Sequence, residues 1–135
     1  MASLKYIIIP IISGILSQII KTIIELIKTK KININRLING MGGMPSTHCS
    51  IVSSLTTLIY LNYTYASPLF SISLIFSLII IYDSMGIRYE SSCHAKVLND
   101  LLGTKLKEPL GHKPTEVLLG VSLGIILTII LNNLI

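Results

Sequence analysis

Four stretches of nearly continuous apolar residues alternate with short polar connectors along this chain. The first is Tyr6–Ile27, roughly 33 Å long as a helix and so long enough to cross a bilayer. The second, Pro45–Tyr63, is rich in Ser and Thr, residue types that hydrogen-bond between packed membrane helices. Pro68–Tyr82, extended through Asp83, is the third, and Thr115–Ile135 is the last. Between the third and fourth, Ser91–Leu102 places Val97, Leu98, Leu101 and Leu102 on one stripe, the pattern of an amphipathic helix for the membrane interface or the bundle. The pattern predicts an all-α integral membrane bundle: one domain over 1–135, spans near 6–27, 45–63, 68–83 and 115–135, and a short interfacial helix.

Polar positions inside these spans are informative in their own right. Ser17, Gln18, Lys21 and Glu25 fall at helical spacing on one face of the first span. A lysine at such a position either snorkels to the interface or serves a site. Gly120 and Gly124 form a G-x-x-x-G pair in the last span, which allows close helix contact and offers one face for a homodimer.

Composition settles the solvent. Apolar residues make up 51% and charged residues 13%, with mean hydropathy +0.75, which favours a membrane protein over a soluble helical core. The net charge of +5 does not point to nucleic acid, because the basic residues flank apolar spans and no aromatic-interleaved basic run is present. Lys28, Lys30, Lys31 and Arg36 lie in the first connector, and Arg88, Lys96, Lys105, Lys107 and Lys113 in the third. Only Lys5 lies on the other side, so both connectors are expected to face the cytoplasm, with both termini opposite. Gln18, Lys21 and Glu25 interrupt the run after Ile7–Leu16, and no small-residue cleavage site follows. The N-terminal segment therefore reads as a retained span.

That topology gathers the chemistry on one face. Gly40-Met41-Gly42-Gly43-Met44-Pro45-Ser46-Thr47-His48-Cys49-Ser50 leads into a helix whose free N–H groups suit an anion. His48, His94 and His112, all the histidines of the chain, fall at this face, with Asp83 and Arg88. Arg88, Lys113 and Lys21 supply positive charge, and an arginine clamps phosphate bidentately. Two histidines fill the two roles of phosphoryl transfer through an enzyme intermediate, one attacking phosphorus and one protonating the leaving alkoxide. Asp83 or Asp100 is available to fix a tautomer. The pairs His48-Cys49 and Cys93-His94 suggest zinc, but adjacent residues on a helix point about 100° apart. No metal or cofactor is expected.

The segments Gly42-Gly43-Met44-Pro45-Ser46-Thr47-His48, Asp83-x-x-Gly86-Ile87-Arg88 and Leu110-Gly111-His112-x-Pro114-x-Glu116-Val117, followed by Gly120-x-x-x-Gly124, extend over nearly the whole chain. In this order they resemble the divergent branch of the type 2 phosphatidic acid phosphatase family, distantly related to vanadium haloperoxidases. The resemblance implies a helical membrane bundle and hydrolysis of a lipid phosphate: phosphatidic acid, phosphatidylglycerol phosphate or a polyprenyl (di)phosphate. Pro45-Ser46-Thr47-His48 matches the parent family's Pro-Ser-Gly-His except at Thr47. It implies that Ser46 and the adjoining backbone at Thr47 bind phosphate and that His48 protonates the leaving group. Arg88 and His94 keep the Arg-to-His spacing of the parent's third motif, which makes His94 the implied phosphohistidine, with His112 as a rival. Ile87 stands where that motif has serine, Leu98 where it has aspartate, and the first motif is absent, with Lys21, Lys113 or His112 as substitutes. Those departures keep open a second class: a catalytically inactive lipid-phosphate-binding, transport or scaffold protein. Membrane lipids are the expected partners in either case.

Overall fold

The computed structural model describes residues 4–30, 43–108 and 111–134. Lys31, Arg36, Gly40–Gly42 and Leu110 lie outside the described residues. Five helices are present among those described: α1 (Lys5–Thr29), α2 (Thr47–Asn62), α3 (Pro68–Met85), α4 (Ile87–Leu102) and α5 (Pro114–Leu134). Their order and bounds follow the apolar pattern to within a few residues.

Among the described residues, three stretches are long and apolar enough to cross a membrane: α1, α5 and the near-continuous pair α3–α4. The 16-residue α2 is shorter, about 24 Å. It nevertheless runs between the same two ends of the bundle. At its start the Ser46 N–H donates to the Glu116 carbonyl at 3.0 Å, beside the start of α5. At its finish Asn62 meets the Lys5 ammonium, and its amide donates to Asn132 Oδ1 at 3.1 Å. Successive long helices therefore alternate in direction, so that α2 runs parallel to α5, with α2 in the middle, in contact with α1, α3 and α5. A helix so enclosed meets little lipid, which is why its serine content is tolerated.

The interior is built largely from hydroxyl groups. Ser13 on α1 pairs with Ser50 on α2 at 2.7 Å, Ser54 on α2 with Thr128 on α5 at 2.6 Å, and Thr56 on α2 with Ser77 on α3 at 2.7 Å. Ser53 and Ser77 also donate to backbone carbonyls across helices, those of Val121 and Val52. Large residues such as Ile15, Ile72, Ile79 and Ile126 face outward. In lipid there is no hydrophobic gain from hiding them, so close approach and interhelical hydrogen bonds hold the bundle.

Gly120 and Gly124 are buried against α2. A Cβ at Gly120 would strike the Ser46 carbonyl oxygen, and one at Gly124 would strike Ser50 and Ser53. The G-x-x-x-G face is therefore used inside the chain, and the sequence-based expectation of a dimer contact there is corrected: any homodimer must use another surface.

Only Gly86 separates α3 from α4, so the interfacial helix starts at Ile87 rather than Ser91. On α4, Ala95 is buried while Val97, Leu98, Leu101 and Leu102 are all exposed. The stripe therefore does not pack into the bundle. Asn99 organises the return: its side chain accepts from Leu106 N–H at 2.9 Å and donates to Glu108 at 2.8 Å.

Candidate functional site

The turn entering α2 is shaped by backbone constraints. Gly43 sits at φ +81°, a left-handed conformation that suits glycine, and its Cα face lies against the Lys21 stem. Ser46 then occupies the N-cap position of α2, yet its side chain makes no capping bond. Its Oγ is fully buried and has no hydrogen-bond partner among the described residues. An unmade hydrogen bond on a buried hydroxyl costs about 1–3 kcal/mol, so this atom points to a ligand or water at the helix start.

Around this turn the fold collects groups from distant parts of the chain. His48, in the first turn of α2, lies within electrostatic reach of Arg88, His112, Lys21 and Asp83. Lys21 is 5% exposed, so it does not snorkel to water; it lies within the packed face of α1 with Ser17. Arg88 donates from Nε to Asp83 Oδ2 at 2.5 Å. This pair orients the guanidinium and leaves its two terminal nitrogens without a partner among the described residues, as a phosphate clamp requires. The Thr47 hydroxyl donates to Gln18 Oε1 at 2.9 Å, so Thr47 offers an anion its backbone N–H rather than its side chain.

His112 is held from three directions. Its N–H donates to the Ser84 carbonyl at 3.0 Å, its ring Nδ1 lies 3.1 Å from Glu116 Oε2, and the Gly43 backbone faces the ring. The residue is 4% exposed. Burial pushes the imidazole below the usual histidine range, and the hydrogen bond to Glu116 works in the opposite direction. Gly111 makes this approach possible: a Cβ there would collide with the backbone of Tyr89, and its N–H donates to Ser92 Oγ at 2.9 Å.

His94 is placed differently. Arg88, Ser92, Ala95 and Asn99 form the inward side of α4, and His94 lies about 200° around the helix from Ser92. It is exposed, as is Cys93 beside it, while Cys49 is buried against Ser84. Lys113 is exposed at the rim, where its backbone N–H donates to Glu116 at 3.2 Å. Asp100 is exposed on α4. The structure thus brings together Ser46, Thr47, His48, Lys21, Asp83, Arg88 and His112, and it sets His94 and Asp100 apart.

Two cavities adjoin the cluster. One, of about 200 Å³, is lined by the charged residues Lys21, Glu25, Lys28 and Glu116 together with Gly43, Met44 and others. A shallow apolar groove of about 690 Å³ runs along the outward face of α3 from Ile75 past Tyr82 to Asp83, Met85 and Ile87.

Glu116 had not stood out as a functional residue. Its signal was the i,i+4 spacing to His112, combined with its place in the first turn of a helix opened by Pro114.

Fold and composition define a polytopic helical membrane protein with a polar, mixed-charge cluster at one end of the bundle. The chain belongs to the Divergent PAP2 family, whose model matches residues 2–127. It is 35% identical to the uncharacterized membrane protein YuiD of Bacillus subtilis (strain 168), over 87% of each chain. No solved structure matches it.

Proposed function

We propose that this protein is a membrane phosphatase that hydrolyses a lipid phosphate at the cytoplasmic face. The observation that carries this reading is the convergence of His48, His112, Arg88 and Lys21 on a helix start whose buried Ser46 hydroxyl has no protein partner among the described residues. Family membership supports it. So does the apolar groove ending at Asp83, whose shape suits an acyl or prenyl tail with its phosphate at the interface.

In this reading the α2 N–H groups, Ser46 Oγ and the Arg88 guanidinium hold the phosphate oxygens, and Lys21 adds charge from below. His112 attacks phosphorus through its Nε2 lone pair. The P–O ester bond breaks as the N–P bond forms, and the departing alkoxide takes a proton from His48. Water then attacks phosphorus, the N–P bond breaks, and His48 recovers a proton from that water. The requirement is only for positioned bases and donors, which this cluster supplies.

A lipid-phosphate-binding or scaffold role is the second reading. The deep burial of His112 and the loss of the parent family's aspartate at Leu98 favour it. Phosphate release from phosphatidic acid, phosphatidylglycerol phosphate and polyprenyl diphosphate in liposomes separates the two. Turnover by the wild type that disappears in His48→Ala and Arg88→Ala establishes the phosphatase. His94→Gln and His112→Gln, compared side by side, decide the second histidine, with the larger loss expected at His112. Folded wild type that binds these lipids without turnover establishes the scaffold.

A further inference from the structure

The parent family's carboxylate position is occupied by Leu98, and neither of the two aspartates near the site replaces it. Asp83 is engaged with Arg88, and Asp100 is exposed on α4. The carboxylate that does meet a histidine of the cluster is Glu116, one helical turn beyond His112, with Oε2 3.1 Å from Nδ1. We propose that Glu116 is the positioning residue of this site: its carboxylate holds His112 in the Nδ1–H tautomer, so that the lone pair resides on Nε2. This inference rests on the phosphatase reading of the same cluster.

Three contacts make Glu116 suited to that task. Its carboxylate accepts from the Lys113 N–H at 3.2 Å as well as facing Nδ1, which fixes the orientation of the side chain. Its own carbonyl accepts from the Ser46 N–H at 3.0 Å, so one residue ties the histidine to the anion-binding turn. His112 is in turn anchored through its backbone to Ser84 at the end of α3, and its side chain is buried, which limits the room for the ring to turn away. A neutral imidazole has one donor and one acceptor nitrogen, and a carboxylate at Nδ1 selects the donor there. On phosphorylation of Nε2 the ring becomes cationic, and the adjacent carboxylate stabilises that charge. The carboxylate itself gains no proton. The 200 Å³ cavity reaches Glu116 from the side of Lys21, and both residues line it.

The test uses the full-length protein in detergent or nanodiscs, labelled with ¹⁵N-histidine. The chain has three histidines, so each resonance is assignable by substitution. Wild type, Glu116→Gln and Glu116→Asp are compared by ring ¹⁵N shifts, by kcat and KM for phosphate release, and by trapping of an acid-labile, base-stable phosphoenzyme. The expected result is an Nδ1–H signature at His112 in the wild type that becomes a tautomer mixture in Glu116→Gln. With it come a kcat about 100-fold lower at near-constant KM and a shifted pH profile, with partial rescue in Glu116→Asp. Glu116→Gln retains an acceptor for the Lys113 N–H, so a purely capping role predicts turnover and pH profile within about threefold of wild type, which would overturn the proposal. Absence of an Nδ1–H preference in the wild type overturns it as well. Wild type without turnover, but with the Glu116-dependent tautomer, removes the phosphatase reading and the catalytic part of this proposal while leaving the orientation of His112 by Glu116 established.

Discussion

Replacing Gly120 by alanine tests how α2 is seated, because the added methyl meets backbone rather than a side chain that can move. A Cβ there falls onto the Ser46 carbonyl oxygen, 3.0 Å from its nitrogen and 3.1 Å from its Cβ. Overpacking of this kind costs about 1–3 kcal/mol. Moving Ser46 also breaks the buried bond from its N–H to the Glu116 carbonyl, a further 1–3 kcal/mol on the order of an unsatisfied buried donor. Alanine recovers about 1 kcal/mol of helix propensity. The net expectation is a loss of about 2–4 kcal/mol, roughly 5–15 °C in an unfolding midpoint for a chain of this size. The assay is built into the protein. Cys49 is fully buried and Cys93 exposed, so in a Cys93→Ser background a thiol-reactive fluorophore reports unfolding alone. Gly14→Ala is the comparison: its Cβ would meet Ile51 Cγ1 at 2.6 Å and Cδ1 at 2.7 Å, a side chain rather than backbone, and a smaller loss than at Gly120 is expected. Gly120→Ala labelling within a degree or two of the parent protein would refute this account of the packing.

Other expectations follow from the same coordinates. His112 is pushed by burial below the ordinary value of 6.5, so the unfolded chain takes up a proton that the folded chain resists. Its contribution is complete above about pH 6.5 and is lost as pH falls through the lower folded pKa; the labelling midpoint should drop between pH 7 and 5, with a smaller drop in His112→Gln. Ser54→Ala and Thr128→Val should each destabilise by about 0.5–1 kcal/mol. The double variant should show a coupling near 0.6 kcal/mol in a mutant cycle, since the two hydroxyls are partners at 2.6 Å. A membrane-impermeant maleimide should label Cys93 in inverted vesicles and not in intact cells; the reverse pattern would invert the proposed topology.

Much of the architecture was legible because lipid demands long apolar runs, and those runs can be read without knowing what packs on what. Lys21 is a case where the pattern was readable and the outcome was not. Its spacing with Ser17 and Gln18 gave the face, but whether it reached water or stayed inside depended on Gly43, far along the chain. Gly120 and Gly124 announced close contact, yet nothing in their spacing says whether the neighbour is α2 or another copy. The site divided along the same line. His48 and Arg88, 40 residues apart in sequence, lie within electrostatic reach of each other. His94 was favoured by its distance from Arg88 in sequence, whereas its position around α4 turns it outward. Glu116 is obscured in the sequence because it lies far from the parent family's carboxylate spacing, and its partnership with His112 depends on local geometry at the start of a different helix.

The hydroxyl-built centre has a consequence for how the protein is made. The ribosome delivers α1 first and α5 last, while α2, the middle pass, has its serines matched to both. Ser50 finds Ser13 as soon as α2 follows α1 into the bilayer, but Ser53 and Ser54 must wait for Val121 and Thr128. During that interval the least apolar pass of the chain sits in the membrane with half its polar seam unmatched. Biogenesis therefore has a vulnerable stage after α4 has emerged and before α5 arrives. Nascent chains arrested there should be the ones that crosslink to insertion machinery through Ser53 and Ser54, and release of α5 should end that contact.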